Sequence, residues 1–271
     1  MSLSYNNLPV YIGGTSSNYY VPATQVNVNY TTSPNPKRKL GSTIATGDQF
    51  GYEGALQAEI SVDSLIHEDM QSGFAFLETV NQADYTSVDI GDNTFNKCYA
   101  LDVNVQIEPF QPVTLQTKFV SLDPPTGVQI TGGSETSHSL TGDDVAYGHT
   151  CSVSDSAGVL NDVQSQISFS RRYARTPTFE LGSINASQMF LDGIEEEVTI
   201  ASTGLENLID FSGELLNNTV TVAINNVGAG ISIPFNDLIS FTKGATIVNE
   251  SYGVAGGQTV QTSATLKQIK L

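Results

Sequence analysis

Two stretches of this 271-residue chain read as one unit written twice. QVNVNYTTSPNPKRKLGSTI opens at Gln25, and QISFSRRYARTPTFELGSIN opens at Gln166. Setting Leu40-Gly41-Ser42 on Leu181-Gly182-Ser183 places Val26 on Ile167 and Val28 on Phe169. Each stretch starts as an alternating strand, runs through a Pro-containing basic segment to Leu-Gly-Ser, and turns into a second alternating strand. An internal repeat constrains the fold more than composition does, because the chain must build the same unit twice.

The second strand runs from Ala55 to Val62, with Leu56, Ala58, Ile60 and Val62 on one face. Its counterpart runs from Ile194 to Ala201, with Ile194, Val198 and Ile200 on the equivalent face. Short helical segments are expected next, SLIHEDMQSGFAFLETV from Ser64 and GLENLIDFSGELL from Gly204. The copies also end alike, in Lys118-Phe119-Val120-Ser121-Leu122 and Lys267-Gln268-Ile269-Lys270-Leu271. Copy two is the longer, with its extra residues expected near Asn225 to Phe235. Between the copies, residues 123–158 are rich in Gly, Ser, Thr, Pro and Asp, which suits a surface linker. The expected organisation is a first domain over 1–122, a linker over 123–158 and a second domain over 159–271. The fold class is mainly β with short helices.

The strands carry one apolar and one polar face. In Tyr99 to Glu108, Leu101, Val103, Val105 and Ile107 oppose Asp102, Asn104, Gln106 and Glu108. Val113, Leu115 and Phe119 oppose Thr114, Gln116 and Lys118, and Pro109 and Pro112 bracket the turn between these strands. Asn27 and Asn29 oppose Val26, Val28 and Tyr30, while Gln57, Glu59 and Ser61 form the polar side of the following strand. Each copy should therefore make an antiparallel sheet with one face on a core and one face exposed. The exposed face is rich in amides and acids and, Lys118 aside, poor in cations.

Charge sharpens that contrast. The chain has 11 basic against 28 acidic residues, a net charge of -17, so it repels nucleic acid and anionic membranes beyond close range. Six of the 11 basic residues fall in the two matching segments: Lys37, Arg38 and Lys39, then Arg171, Arg172 and Arg175. Read as loops, these segments suit contact with an acidic neighbouring subunit, where charge complementarity sets register. Read alone, they could also be a nucleic-acid patch or a localisation signal.

Catalytic patterns do not emerge. His67, His138 and His149 give no pair at metal-ligand spacing, and no nucleophile elbow, P-loop or dinucleotide fingerprint occurs. Asp89-Ile90-Gly91-Asp92-Asn93 reads as a turn and lacks the ligand sequence of a calcium loop. Cys98 and Cys151 are too few for a disulfide framework and read as ordinary small core or semi-buried thiols. The first residues lack a signal-peptide pattern, and no apolar run reaches bilayer length, so synthesis and folding in a cytoplasm are expected. A non-enzymatic, self-assembling protein is the expectation.

The order of strand, basic segment with Leu-Gly-Ser, strand, short helix and paired strands resembles the phage tail-tube protein family. The strings KRKLGS and RRYARTPTFELGS carry the likeness, which covers roughly residues 20–122 and 160–271. The resemblance implies tandem antiparallel β-sandwich or barrel domains, stacked rings, and an inner β-barrel wall around a lumen through which DNA passes unbound. A duplicated chain is then expected to make a pseudo-hexameric ring from three subunits. The residues expected on the lumen are Asn27, Asn29, Gln57, Glu59, Asp102, Asn104, Gln106, Gln166, Ser168, Glu195 and Glu197. The expected contacts between rings are Lys37, Arg38, Lys39, Arg171, Arg172 and Arg175. The family also implies sheath, hub or terminator proteins as partners, residence in the virion tail after assembly in a host cytoplasm, and no cofactor or metal. The alternatives are a baseplate hub or distal tail ring, a tandem β-sandwich adhesin or carbohydrate-binding module, and a hydrolase.

Overall fold

The computed structural model describes residues 10–13, 18–31, 34–36, 50–52, 57–66, 85–91, 93–122, 145, 147–148, 151–155, 164–181, 186–203, 220–224, 240–241, 246–253 and 261–270. Sixteen strands run through them. The first half holds β1 (Val10–Gly13), β2 (Asn18–Val21), β3 (Ala23–Thr31), β4 (Pro34–Pro36), β5 (Phe50–Tyr52), β6 (Gln57–Leu65), β7 (Thr86–Ile90), β8 (Asn93–Ile107) and β9 (Thr114–Ser121). The second holds β10 (Cys151–Asp155), β11 (Gln164–Phe179), β12 (Ala186–Thr203), β13 (Val220–Ile224), β14 (Ser240–Phe241), β15 (Thr246–Gly253) and β16 (Gln261–Lys270). The fold is mainly β, as the alternation predicts. The helical segments expected after Ser64 and Gly204 lie outside the described residues, except that Ser64 and Leu65 belong to β6 and the buried Ile66 follows it without helix.

All strand pairs are antiparallel, and the main sheet can be followed as β3-β6-β9-β8-β11-β12-β16-β15. Strand β8 is long enough to serve two neighbours on one edge. Its first part pairs with β7, and Asp102 to Ile107 pair with Arg172 to Ile167 of β11. Strands β7, β1 and β2 branch off there. Each half of the main path repeats one order: first, second, fourth, third. A further pairing recurs, since β1 pairs with β7 in the first half and β10 pairs with β13 in the second.

Alternation determines which face is buried. Ala58, Ile60 and Val62 of β6, Val103, Val105 and Ile107 of β8, and Leu115 and Phe119 of β9 are buried. They share one core with Ile167, Phe169, Ile194, Val198 and Ile200, and with Val10, Ile12, Val88 and Ile90 of the branch. Each Val, Leu, Ile or Phe side chain among them contributes roughly 1.5–3 kcal/mol on burial. Cys98 sits in that core as expected, with its thiol against the Phe95 carbonyl oxygen at 3.2 Å.

Two expectations need correction. The basic segment at Arg171 to Arg175 is strand, because β11 runs unbroken through it to Phe179 and pairs with β12 along its length. Pro177 does not stop the strand there. Beyond Arg172 no β8 residue pairs with β11, so a proline on that edge leaves no ladder bond unmade. The stretch expected as linker also contains structure: β10 pairs with β13, Pro112 bridges to Tyr147, and Gly148 N donates to the Gln111 carbonyl at 2.9 Å.

Candidate functional site: a polar sheet face and its two open edges

Strand alternation puts every expected lumen residue on the sheet face turned away from the core. Asn27 and Asn29 lie on β3, Gln57 and Glu59 on β6, and Asp102, Asn104 and Gln106 on β8. Gln166 and Ser168 lie on β11, with Glu195 and Glu197 on β12. Register brings them into rows across the sheet. One row runs Asn27, Ser61, Lys118, Asp102, Arg172, Glu195 and Ile269.

Hydrogen bonds tie the face together sideways. Asn104 Nδ2 donates to Gln116 Oε1 at 3.3 Å, and Gln116 Nε2 donates to Asp63 Oδ1 at 2.6 Å. Gln166 Nε2 donates to Glu108 Oε1 at 3.2 Å. Thr199 and Thr265 hydroxyls lie 3.0 Å apart, and Lys267 Nζ stands 3.4 Å from Glu195 Oε2. The face is less uniformly acidic than the sequence reading expects. Arg172 stands in register between Asp102 and Glu195, and Lys267 joins Lys118 as a further cation. The result is a ladder of amides and interleaved charges. Such a surface grips a polyanion weakly, since cations already face carboxylates.

The three arginines of the second half go to three different places. Arg172 is exposed on the polar face. Arg171 points into the core, 4% exposed, and its Nη2 lies 2.5 Å from Oε1 of Glu196, itself 1% exposed. Gln268 Nε2 donates to the other carboxylate oxygen of Glu196. Arg175 Nε donates to the Ala100 carbonyl at 3.0 Å, and its guanidinium lies over the Tyr99 and Tyr173 rings. Burial pushes the Tyr173 hydroxyl pKa up, with the neighbouring Arg171 and Arg175 charges opposing that shift. Lys37, Arg38 and Lys39 lie outside the described residues.

The sequence reading missed Glu196 and Gln268. The signal was present, because Glu196 falls between Ile194 and Val198 on the apolar side of its strand, and Arg171 falls between Phe169 and Tyr173. Two opposite charges, each interrupting an apolar face on neighbouring strands, mark a compensated pair.

Among the described residues the main path of the sheet ends in two strands, β3 and β15, and its branch ends in a third, β2. Among the described residues β3 pairs only with β6, and β15 pairs only with β16. These are the counterparts of β11 and β8, the two strands that join the halves. Among the described residues no group of three or more His, Cys, Asp or Glu side chains is placed to hold a metal ion. No helix among them is long and apolar enough to cross a membrane.

No protein-family model matches the chain, and no curated protein matches it. Among solved structures it is similar to the Dit (gp 19.1) protein of SPP1, whose structure is titled a paradigm of hub adsorption apparatus in Gram-positive infecting phages. That likeness spans 97% of this chain and 99% of the other, at 9% identity and a TM-score of 0.27.

Proposed function

We propose that this chain is a structural protein of a phage tail, a tandem duplication whose copies close into a ring and whose rings stack as a tube. One observation carries the reading. The first half docks onto the second through β8 and β11, and the counterparts of those two strands, β15 and β3, end the main path among the described residues. A contact between unlike surfaces that already exists inside the chain can be repeated between chains. Such head-to-tail repetition closes into a ring when its rotation allows, and closure consumes edges that would otherwise template aggregation. Three chains would supply the six half-units of a pseudo-hexamer.

The register of the internal seam predicts the register of the seam between chains. Val105 pairs with Phe169 and Asn104 with Ser170. The strand register sets Ser121 on Gln268, two residues from where aligning the copies' ends sets it. Carried across the repeat on that register, these pairs put Tyr252 opposite Val28 and Ser251 opposite Asn29 of the next chain. The polar face then lines the ring's interior, where its charge ladder lets DNA pass without a binding site. The protein works by assembly and needs neither catalysis nor cofactor.

The test is a cysteine pair, Asn29→Cys with Ser251→Cys, on the polar face where oxidant reaches it. Mild oxidation should yield covalent multimers on a non-reducing gel, and neither single variant should do so. Negative-stain images should show rings. A wild-type chain that sediments as a monomer at high concentration would sink the proposal.

A further inference from the structure

The seam between the two halves is held by more than its ladder. Pairing of β8 with β11 ends on Asp102 and Arg172. Continued by two residues, that register would set Ala174 on Ala100, but β8 carries an irregularity between Ala100 and Asp102 where it pairs with β9. Strand β11 has its own between Ala174 and Arg175, where it pairs with β12. A bulge ends regular pairing and re-aims the side chains beside it. Here Arg175 takes over. Its Nε donates to the Ala100 carbonyl at 3.0 Å, so a side chain stands in for the next rung.

Both halves hold the guanidinium. It lies 5.3 Å from the ring centroid of Tyr99 in the first half and 5.6 Å from that of Tyr173 in the second. Both rings are buried, and Arg175 is itself half-buried. A cation over aromatic faces gains more where it is desolvated. Arginine's planar fork can donate in its own plane while its face meets a ring, which the point charge of lysine cannot do. Ala186 and Met189 of β12 pack with Tyr99, Val120 and Leu122 at the same place. A hydrogen bond, ring contacts and a small apolar cluster therefore converge where the ladder stops.

We infer that Arg175 is a lock that fixes the angle between the halves, so that each chain behaves as one rigid pair. Comparison of the repeats shows where the lock belongs. The bulge recurs at one register: Ala100 and Asp102 face Phe119 and Lys118 in the first half, and Ile247 and Asn249 face Leu266 and Thr265 in the second. Arg175 does not recur, because it falls on Pro34 when Phe169 is set on Val28. Proline has no N–H to donate. The Ile247 carbonyl is thus offered no such donor from the matching position of a neighbouring chain. Where chains close into a ring, a consequence that rests on the reading proposed above, the seam inside each chain is stiff and the seam between chains is the one that adjusts.

Arg175→Met in the full chain is the test, because it keeps the length and apolar stem while removing the donor and the charge. Hydrogen exchange resolved to single amides separates a lock from a plain contribution to stability. Exchange should quicken about tenfold at the amides that bond across the seam, from Asp102 to Ile107 and from Ile167 to Arg172, as expected when a charged hydrogen bond is lost. Amides bonding β6 to β3, and β16 to β15, should keep wild-type protection, which also shows that the variant is folded. Unchanged exchange at the seam, or a rise spread evenly over all strands, would overturn the inference. The measurement is made on unassembled chains. A wild-type chain that never forms rings would therefore remove only the consequence for the seam between chains, and the lock would still be decided by exchange.

Discussion

Matching places in the two half-sheets hold opposite kinds of chemistry. In the first half, Tyr30 pairs with Ala58 and Ala58 with Ser121. The same register in the second half gives Arg171, Glu196 and Gln268. Ala58 and Ser121 are buried, and so are all three residues of the second set. Ala58 and Ser121 are therefore small where their twins, Glu196 and Gln268, belong to an ionic row. Two charges inside a core are a poor source of net stability, because desolvation offsets their attraction. What they supply is discrimination. A slip of β11 against β12 by two residues would keep every apolar side chain on its proper face. It would also part Arg171 from Glu196 and leave each charge buried without its counter-charge. The row of Ala58 sets no such penalty.

The largest effect should come from making the first half resemble the second in only one member. Ala58→Glu places a carboxylate in the buried row without an arginine beside it. It should cost about 5 kcal/mol or more. Glu196→Ala does the converse, leaving Arg171 buried beside a small apolar residue, and should cost about 3–5 kcal/mol. Copying the first half completely, Arg171→Tyr with Glu196→Ala and Gln268→Ser, should recover most of that loss, since neither an unpaired charge nor a stranded amide remains. Denaturant midpoints of the three variants settle the comparison. If Glu196→Ala alone were as stable as wild type, the row would have no role in the core.

The difference between these rows also explains how much was legible beforehand. Alternation identifies Ala58, Ile60, Val62, Val103, Val105 and Ile107 as buried because apolar residues two apart leave one reading for a half-buried strand. It fails at Arg171 and Glu196 for a physical reason. A charge in an apolar run ordinarily signals the end of a strand or a switch of face, and only a partner on another strand reverses that inference. Such a partner lies in register space, which sequence spacing does not give. The extent of β11 was misjudged on the same ground. The Pro-containing basic segment was read as a loop, yet the edge that Pro177 occupies has no β8 ladder beyond Arg172 to break. Strand β10 was hidden by its composition, Cys-Ser-Val-Ser-Asp, which reads as loop until β13 is placed beside it.

A smaller effect separates buried from exposed charge within the second half. Arg172 stands one residue from Arg171 and on the opposite face, in register with Asp102 and Glu195. Glu195 and Lys267 are well over a third exposed and about a third exposed respectively, so solvent screens them. Arg172→Ala should therefore change stability by no more than about 1 kcal/mol. The contrast with Glu196→Ala is the measurement of interest. Equal losses at the two sites would mean that burial does not distinguish them.

The finest distinction is one of pH, and it also belongs to the ionic row. Burial holds the Tyr173 hydroxyl pKa above the ordinary value, although Arg171 beside it pulls the other way. A group whose folded pKa is raised keeps its proton where the unfolded chain has already released it. Its stabilising contribution is complete below about pH 10, the unfolded tyrosine value, and is lost as pH climbs through the folded one. Tyr20 shifts in the same direction, chiefly through desolvation and also through Tyr11, so part of the alkaline loss belongs to the first half. Tyr173→Phe should flatten the fall in denaturant midpoint between about pH 9 and about pH 11 without abolishing it. Because Phe cannot ionise, a fall as steep as that of wild type would show that Tyr173 releases its proton in the fold as readily as in the open chain. The arginine would then outweigh burial, and the core around Arg171 and Glu196 would be wetter than its packing indicates.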